Sequence, residues 1–259
     1  MQLDPPSPTE GAAGEPPRAP LPSPGTGSML WLVRHGHVDA PHGSYGDTDV
    51  PLSPLGLEET RAAVESLAAL GDLRAIWSSP LVRARAMGEG LARATGLELH
   101  LDDGLKELHR GRWQGLGMEE YRARWDAEAD AFWEDPLSWN GHGGESEADL
   151  VARGFPCLEA AARAAAGQVA VLTAHRQIVR AVVAAAVGIP PVASHRMLIA
   201  TGSGILLEDA PHGWVLHRTS VKPPAARQAA ELESGPPEDV AFGPGGGDDE
   251  RAPGRRSEN

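Results

Sequence analysis

The sequence predicts an α/β fold: a three-layer α/β/α sandwich built on a mostly parallel, mixed sheet. Short apolar runs alternate with segments whose apolar residues recur at helical spacing, the pattern of strands joined by crossover helices. Two of these apolar runs end directly in histidine, at His35 and His175. The last two apolar runs flank the turn residues 209–213 and indicate an antiparallel pair. A parallel sheet covered on both faces and closed by a hairpin accounts for all three observations.

Apolar runs of strand length and helix-capping signals give the order of the elements. The predicted strands cover residues 29–33, 73–77, 97–101, 168–174, 204–208 and 214–218. The predicted helices cover residues 53–70, 79–95, 117–133, 146–166 and 177–187. The first helix carries Leu57, Val64 and Leu67 at helical spacing. Since strands alternate with helices up to the closing pair, one domain is favoured.

Serine residues mark three of the helix starts. Ser53 and Ser79 are strong N-cap residues, and each is followed by a proline that fits the first helical position. Ser146 begins a segment that resembles a capping box. Pro156 lies inside the same helix, where an interior proline costs roughly 3 kcal/mol, so we expect a kink or a division there.

The two ends of the chain differ in composition from its middle. Residues 1–28 and 223–259 are dense in Pro, Gly, Ser and Ala and offer little that a core could bury. Such segments cannot offset the entropy of ordering, so both are expected to be disordered tails. One globular domain over residues 29–222 remains, and it is large enough to bury most of its core.

Net charge and cysteine content restrict the partners and the compartment. The formal net charge is −13, of which −2 lies in the N-terminal tail and −4 in the C-terminal tail. An acidic chain is a poor non-specific binder of nucleic acid or anionic membrane, so a small molecule is the expected partner. Cys157 is the only cysteine, which excludes an intrachain disulfide. The chain shows no secretory signal and no apolar run of membrane-spanning length, which predicts a cytoplasmic protein.

The run that ends in Arg34, His35 and Gly36 carries the clearest chemical signal. It places a cation, an imidazole and a small residue at the carboxyl edge of the predicted sheet, where α/β proteins bind ligands. An imidazole can attack phosphorus, a guanidinium can hold phosphoryl oxygens, and glycine permits a close backbone approach. The triplet predicts phosphoryl transfer. It suggests no metal and no cofactor, because the groups offered are cations rather than a carboxylate cage.

Four further segments supply parts that a phosphate site could use. Arg83 lies in the first turn of a predicted helix, where the helix N-terminus also favours an anion. Glu107 offers a carboxylate in an irregular loop ahead of Gly111-Arg-Trp-Gln-Gly115. Residues 143–146, Gly-Gly-Glu-Ser, form a glycine-rich helix start. His175 repeats the opening theme, an imidazole directly after a buried strand.

Taken in order, these motifs resemble the histidine phosphatase superfamily, in the branch that contains cofactor-dependent phosphoglycerate mutases and small-molecule phosphatases. The resemblance extends from about Met29 to about Ser220. It implies that His35 is the phosphorylated nucleophile and that Glu107 is the proton donor. It also implies that Arg34, Arg83 and a protonated His175 complete the phosphate pocket, and that the enzyme hydrolyses small phosphomonoesters.

The loop after the nucleophile points to a subgroup. Residues 45–52, Tyr-Gly-Asp-Thr-Asp-Val-Pro-Leu, resemble a stretch common in α-ribazole-phosphate phosphatases of cobalamin synthesis. This resemblance implies an α-ribazole 5′-phosphate substrate, with Tyr45 and Gly36 among the substrate-binding residues. The chain departs from the family at His37, where many relatives have Glu, and at Arg176, where they usually have Gly. Both are further candidates for the substrate rim.

Several alternatives remain open at this point. A mutase would return the phosphoryl group to the substrate instead of to water, and an inactive relative would serve only as a binding module. The short spacing between Gly115 and Gly143 favours hydrolysis, and the presence of all the expected catalytic side chains favours an active enzyme. Asp102, Asp103, Glu119 and Glu120 compete with Glu107 for the role of proton donor. Both a monomer and a homodimer are compatible with the sequence.

Overall fold

A computed structural model describes residues 25–39 and 45–221. Its strands are β1 (Met29–Arg34), β2 (Leu73–Ser78), β3 (Leu99–Leu101), β4 (Val169–Ala174), β5 (Gly204–Ala210) and β6 (Gly213–Val221). Its helices are α1 (Pro54–Ala68), α2 (Val82–Thr95), α3 (Met118–Glu134), α4 (Glu147–Ala165), α5 (Arg176–Val187) and α6 (Pro191–Ser194). Two single 3₁₀ turns, Asp103–Leu105 and Gly111–Trp113, lie between β3 and α3.

The strands form one six-stranded sheet in the order β3-β2-β4-β1-β5-β6. The first four strands in this order are parallel, and β5 and β6 complete the sheet as antiparallel neighbours. The predicted α/β sandwich with a mostly parallel, mixed sheet is therefore confirmed. Because β1 and β4 are adjacent and parallel, Arg34 lies opposite Ala174, and the residues that follow them meet at one edge of the sheet.

Each face of the sheet has its own core. Residues of α4 and α5 pack with Leu30, Leu32 and Leu172 on one face. Residues of α1 and α2 pack with Val33, Ile76 and Val171 on the other. The alternation along β1 and β4 is the period-2 pattern expected of a strand. Since both faces are covered, β4 is buried along its whole length, which explains why all of its residues except Thr173 are apolar.

Segment 113–139 contributes a separate aromatic cluster, made of Trp113, Tyr121, Phe132, Trp133 and Trp139 with their neighbours. Trp113 is 1% exposed and stacks on Tyr121 with ring centroids 4.5 Å apart. Apolar burial holds this part of the chain together, as expected for tryptophans that serve as packing residues.

Several local predictions were wrong. Leu57 is 52% exposed, whereas Leu67 is buried in the core, and small and polar side chains make up the rest of the buried face of α1. The helix predicted to start at Ser79 begins at Val82. Helix α4 runs unbroken through Pro156, with neither a division nor a non-helical residue at that point. The non-helical backbone lies instead at Trp125 within α3.

The fold begins earlier than the sequence predicts. The Thr26 hydroxyl donates to Asp209 at 2.8 Å, and the Ser28 hydroxyl, fully buried, donates to the Ala162 carbonyl at 2.8 Å. Residues 25–28 therefore belong with the folded part and not with the predicted N-terminal tail. The rest of that tail and the predicted C-terminal tail over 223–259 lie outside the described residues. In the described part, no helix is long and apolar enough to cross a membrane.

Candidate active site

The carboxyl ends of β1, β2 and β4 bring the predicted site residues together. The His35 N–H donates to the Ala174 carbonyl at 3.0 Å, and the Ser79 N–H donates to the Thr173 carbonyl at 2.9 Å. These bonds continue the parallel ladders by one residue beyond each strand. As a result, the rings of His35 and His175 lie with their centroids 5.1 Å apart.

His35 is held with one ring nitrogen available for chemistry. Its Nδ1 lies 2.6 Å from the Gly36 carbonyl oxygen. Because a carbonyl oxygen can only accept, Nδ1 carries the proton and Nε2 carries the lone pair. Burial is the main reason that the pKa of His35 lies well below its usual range. Electrostatic repulsion from His175, Arg34 and Arg83 lowers this pKa further. The imidazole is therefore neutral at pH 7, the form in which it can act as a nucleophile.

His175 has both ring nitrogens engaged. The Arg83 Nε–H donates to Nδ1 at 3.2 Å, so Nδ1 is an acceptor, and Nε2–H donates to the Ser79 hydroxyl at 2.8 Å. Burial, with the nearby Arg83 and Arg34, holds the pKa of His175 well below its usual range. In this structure His175 is therefore neutral, and the expectation of a protonated His175 beside a phosphoryl group stays a prediction. Two cations beside a fully buried ring disfavour a third positive charge.

Arg83 joins His175 to the loop that follows the nucleophile. Besides the bond to His175, it donates to the Thr48 and Gly46 carbonyls, both at 2.7 Å. It is 3% exposed and lies in the first turn of α2, as predicted. Its planar fork holds the loop in a fixed position beside the two histidines and keeps a positive charge there.

Arg34 approaches the same space from the end of β1. Its Nη1 donates to the Ile199 carbonyl at 2.7 Å, which anchors the guanidinium to the segment before β5. It lies close enough to both histidines to lower their pKa values. Two guanidinium groups therefore lie near the buried His35 ring, where they could stabilise a phosphoryl group.

Glu107 lies at the N-terminus of α5, next to His175. Its Oε2 accepts from the Gln177 N–H at 3.1 Å, and its Oε1 accepts from the Leu108 and Ile178 N–H groups at 2.9 and 3.3 Å. Burial would raise the pKa of this carboxyl, but these backbone donors, with Arg110 and Arg83, outweigh burial and lower it. Glu107 is therefore ionised at neutral pH in the absence of substrate.

Gly36 is required by a close backbone contact. A Cβ at Gly36 would lie 2.3 Å from the Gly56 carbonyl oxygen, and one at Gly56 would lie 1.9 Å from the His37 carbonyl oxygen. The start of α1 therefore packs directly on the backbone that follows the nucleophile. The steric reason for glycine at position 36 in this structure is helix packing, whereas the sequence suggested an approach to substrate.

The three remaining rim candidates lie around this centre in different settings. His37 donates its backbone N–H to Glu59 at 2.8 Å, and its Nδ1 lies 2.8 Å from the Ser53 hydroxyl, so it braces the start of α1. Tyr45 is half-buried and begins the turn that Arg83 holds, its carbonyl accepting from the Thr48 N–H at 2.9 Å. Arg176 is the first residue of α5 and is half-buried.

The sequence interpretation missed several residues that support the site. Ser79 was assigned to a helix cap; its hydroxyl accepts from the Leu81 N–H at 3.3 Å, just before α2, and also from His175 at 2.8 Å. The first N–H of α2, that of Val82, donates to Asp49 Oδ1 at 2.8 Å. Gln114 donates to Asp47 and Thr48 at 2.6 and 2.8 Å. The Ser79-Pro80 pair is visible in the sequence, but it fits both a helix cap and a contact with the site. No sequence feature near Gln114 indicates the hydrogen bonds that it makes.

Among residues 25–39 and 45–221, no group of three or more His, Cys, Asp or Glu side chains is arranged to hold a metal ion. The charged groups near His35 are the guanidinium groups of Arg34 and Arg83, which favour a bound anion. The Glu107 oxygens already accept three backbone N–H bonds.

Comparison with protein families gives a match to the histidine phosphatase superfamily (branch 1) over residues 30–222. Among curated proteins, one named glucosyl-3-phosphoglycerate phosphatase, from Mycolicibacterium vanbaalenii, is 34% identical over 62% of this chain and 75% of its own length. A protein of the same name from Mycobacterium tuberculosis is 38% identical over 50% of this chain, and the match spans 58% of that relative.

Solved structures show the same fold. The structure of a mycobacterial glucosyl-3-phosphoglycerate phosphatase is 29% identical, with a TM-score of 0.66, over 75% of this chain and 99% of that protein. An Escherichia coli protein assigned as an α-ribazole-5′-P phosphatase is 18% identical, with a TM-score of 0.64, over 75% of this chain and 96% of that protein. At 18% identity, the second similarity supports the fold alone.

Proposed function

The chain belongs to the histidine phosphatase superfamily, branch 1, and is a hydrolase of small phosphomonoesters; we propose that it works without metal, through a phosphohistidine at His35. The observation that carries this proposal is the fixed tautomer of His35. Its Nδ1 is occupied by the Gly36 carbonyl, so Nε2 offers its lone pair between two guanidinium groups.

In the first step, His35 Nε2 attacks phosphorus in line with the ester oxygen, and the P–O bond breaks as the N–P bond forms. Arg34 and Arg83 neutralise charge on the phosphoryl oxygens during the transfer. His175 accepts a hydrogen bond from Arg83 and so holds that guanidinium in place, while its Nε2–H donates to Ser79 in the same pocket.

Glu107 supplies the proton to the leaving oxygen. It is ionised before substrate binds, but the negative charge of a bound phosphate raises the pKa of a nearby carboxyl. It therefore takes up the proton that a phosphomonoester monoanion carries and passes it to the departing alkoxide. In the second step, the ionised Glu107 removes a proton from water, which attacks phosphorus and regenerates His35.

The proposal is tested by trapping the intermediate. Wild-type protein is mixed with radiolabelled p-nitrophenyl phosphate in the presence of EDTA and quenched within the first turnovers. We expect an acid-labile, alkali-stable phosphoprotein and undiminished release of inorganic phosphate. His35→Ala should bind no label. Label retained in that variant, or activity abolished by EDTA and restored by a divalent cation, would overturn the mechanism.

The identity of the substrate is a finer proposal. We infer that glucosyl-3-phosphoglycerate is the first substrate to test, because the relatives that bear this name share 34–38% identity with the chain. α-Ribazole 5′-phosphate is the second candidate, supported by the resemblance of the loop at Tyr45. Tyr45 directly precedes Gly46, whose carbonyl accepts a hydrogen bond from Arg83, so Tyr45 is well placed to border a substrate.

A direct comparison of kcat/KM separates these candidates. Glucosyl-3-phosphoglycerate, α-ribazole 5′-phosphate and 3-phosphoglycerate are measured side by side, with Tyr45→Ala as the variant. We expect a preference for one of the two larger substrates over 3-phosphoglycerate, and a smaller preference in Tyr45→Ala. Equal rates on all three would mark a broad-specificity phosphatase. Transfer of label to 3-phosphoglycerate in place of water would identify a mutase.

A further inference from the structure

The guanidinium group of Arg153 donates hydrogen bonds to three backbone carbonyls of the Glu107 loop. Arg153, on α4, donates from Nη1 to the Gly104 and Lys106 carbonyls, both at 2.8 Å, and from Nη2 to the Glu107 carbonyl at 3.0 Å. Three carbonyls within four residues are therefore fixed by one side chain that comes from a different element. The segment has little regular structure of its own, only a single 3₁₀ turn ending at Leu105.

The other two N–H groups of Arg153 go to one carboxylate. Nε donates to Glu145 Oε1 at 2.7 Å, and Nη2 donates to Glu145 Oε2 at 2.9 Å. A guanidinium has five N–H donors, and all five are used here. Arg153 therefore has no donor left for a substrate, which distinguishes it from the arginines expected to contact phosphate.

Glu145 extends the same network past Glu107. Its Oε2 accepts from the His109 N–H at 2.9 Å, and its own backbone N–H donates to the His109 carbonyl at 2.8 Å. The loop is thus fixed on both sides of Glu107, by carbonyl contacts before it and by the paired backbone of His109 after it. This ion pair, about three-quarters buried, is therefore an anchor shared by Gly104, Lys106, Glu107 and His109, in addition to the contact of the Glu107 carboxylate with α5.

We propose that Arg153 and Glu145 are positioning residues for the proton donor. This proposal rests on the proposed function, because it assigns Glu107 to that role. The carboxylate must lie within hydrogen-bond distance of the leaving oxygen, and a displacement of about 1 Å in such a group can cost roughly 100-fold in rate. Loss of the pair leaves His35, Arg34 and Arg83 in place but lets the Glu107 loop shift.

Leaving-group dependence is the measurement that distinguishes this role from a merely structural one. A proton donor matters most for a poor leaving group, so we compare kcat/KM for an alkyl phosphate with that for p-nitrophenyl phosphate. Arg153→Lys retains the charge but cannot form the five-bond fork. We expect it to reduce kcat/KM roughly 10- to 100-fold for the alkyl phosphate and only a few-fold for p-nitrophenyl phosphate.

The matched control is Arg163→Lys on the same helix, whose side chain is 66% exposed and lies 4.0 Å from Glu159. It should leave both substrates unaffected. Glu145→Gln, which keeps the shape of the pair and removes its charge, should show the same pattern as Arg153→Lys with a smaller effect. It serves as the second variant if Arg153→Lys lowers the yield of folded protein.

A double variant completes the test. If Arg153 acts through Glu107, then Arg153→Lys should add less than about threefold to the loss already caused by Glu107→Gln, because the two effects are not independent. Equal losses on both substrates, or full additivity with Glu107→Gln, would overturn the positioning role. Phosphoenzyme trapping in the wild type is a separate measurement, and failure to trap a phosphoenzyme would refute the proposed function. If the wild type forms the phosphoenzyme but Arg153→Lys has the same leaving-group dependence as the wild type, only this inference is refuted.

Discussion

The carboxyl ends of β1 and β4 look alike in sequence but differ in chemistry. Each strand is mostly apolar, each is followed directly by a histidine, and the two strands are parallel neighbours. After β1, the chain turns through Gly36, whose carbonyl takes the Nδ1 proton of His35 and leaves Nε2 available. After β4, the chain enters α5 directly, and Arg83 and Ser79 occupy both nitrogens of His175.

This difference shows that position at a strand end is not enough to assign a catalytic role. Both rings are buried and both have a lowered pKa, so electrostatics alone does not separate them. What separates them is the count of hydrogen-bond partners. His35 retains a lone pair for chemistry, whereas His175 links α2 to the β2–α2 turn by its hydrogen bonds with Arg83 and Ser79.

The most severe test removes the nucleophile. His35→Ala should lower kcat/KM by roughly 10⁴-fold or more, because the proposed first step then has no imidazole to take the phosphoryl group. Its melting temperature should change little, since the ring makes one hydrogen bond at the end of a strand. Steady-state kinetics and a thermal melt on the same sample check both statements, and turnover close to the wild type would remove the basis of the comparison.

The corresponding change at the second strand should be milder and of a different kind. His175→Asn keeps a good helix N-cap but cannot reach Arg83 and Ser79 together. We expect a loss of roughly 100-fold in kcat, from misplacement of Arg83, while labelled phosphate still accumulates on His35. His100→Asn, at an exposed position on β3, is the control. Absence of the phosphoenzyme in His175→Asn would show that the two rings act as one unit.

A smaller effect is expected from the partner of His175. Ser79→Ala leaves the buried Nε2–H without its acceptor, which should reduce the free energy of unfolding by about 1–3 kcal/mol. Denaturant unfolding monitored by tryptophan fluorescence measures this change. The exposed Ser138→Ala should cost much less. Equal costs at the two serines would mean that the Ser79 contact contributes nothing specific.

The mildest expected effect is on stability as a function of pH, where the two histidines should behave alike. Their folded-state pKa values are depressed, so below about pH 6.5 the unfolded chain binds protons that the folded protein does not. Stability should therefore fall as the pH drops from 7 towards 5. The slope of the urea midpoint against pH should flatten to a similar extent in His35→Asn and His175→Asn, and a flat wild-type profile would contradict this account.

Much of the site could be predicted because its signals are local. An apolar run followed by histidine predicts a ring at the edge of a sheet, and Glu107 was selected from a group of nearby carboxylates by its motif. The register between strands is not local. The bond between Ser79 and His175 exists because β2 lies beside β4, which no short segment of sequence specifies.

The same limit applies to Arg153, which lies 46 positions from Glu107 in the middle of a helix. Nothing in its neighbourhood marks it out from Arg163, ten residues later. Its role depends on which face of α4 packs over the segment 104–107. By contrast, His37 was singled out because it departs from a family pattern, and the structure places its hydrogen bonds at the start of α1.

The interlocked loop at 45–49 restricts how this enzyme can be re-engineered. Asp49 satisfies the start of α2, while Arg83, from the first turn of that helix, holds the carbonyls of the loop, and Gln114 bonds its side chains. A loop grafted from a relative into this scaffold would have to offer an acceptor to the Val82 N–H, carbonyls to Arg83 and side-chain acceptors to Gln114. Chimeras that exchange the loop alone would disturb α2 and, through Arg83, His175, so a change of specificity is better sought by substituting Tyr45 within the existing loop.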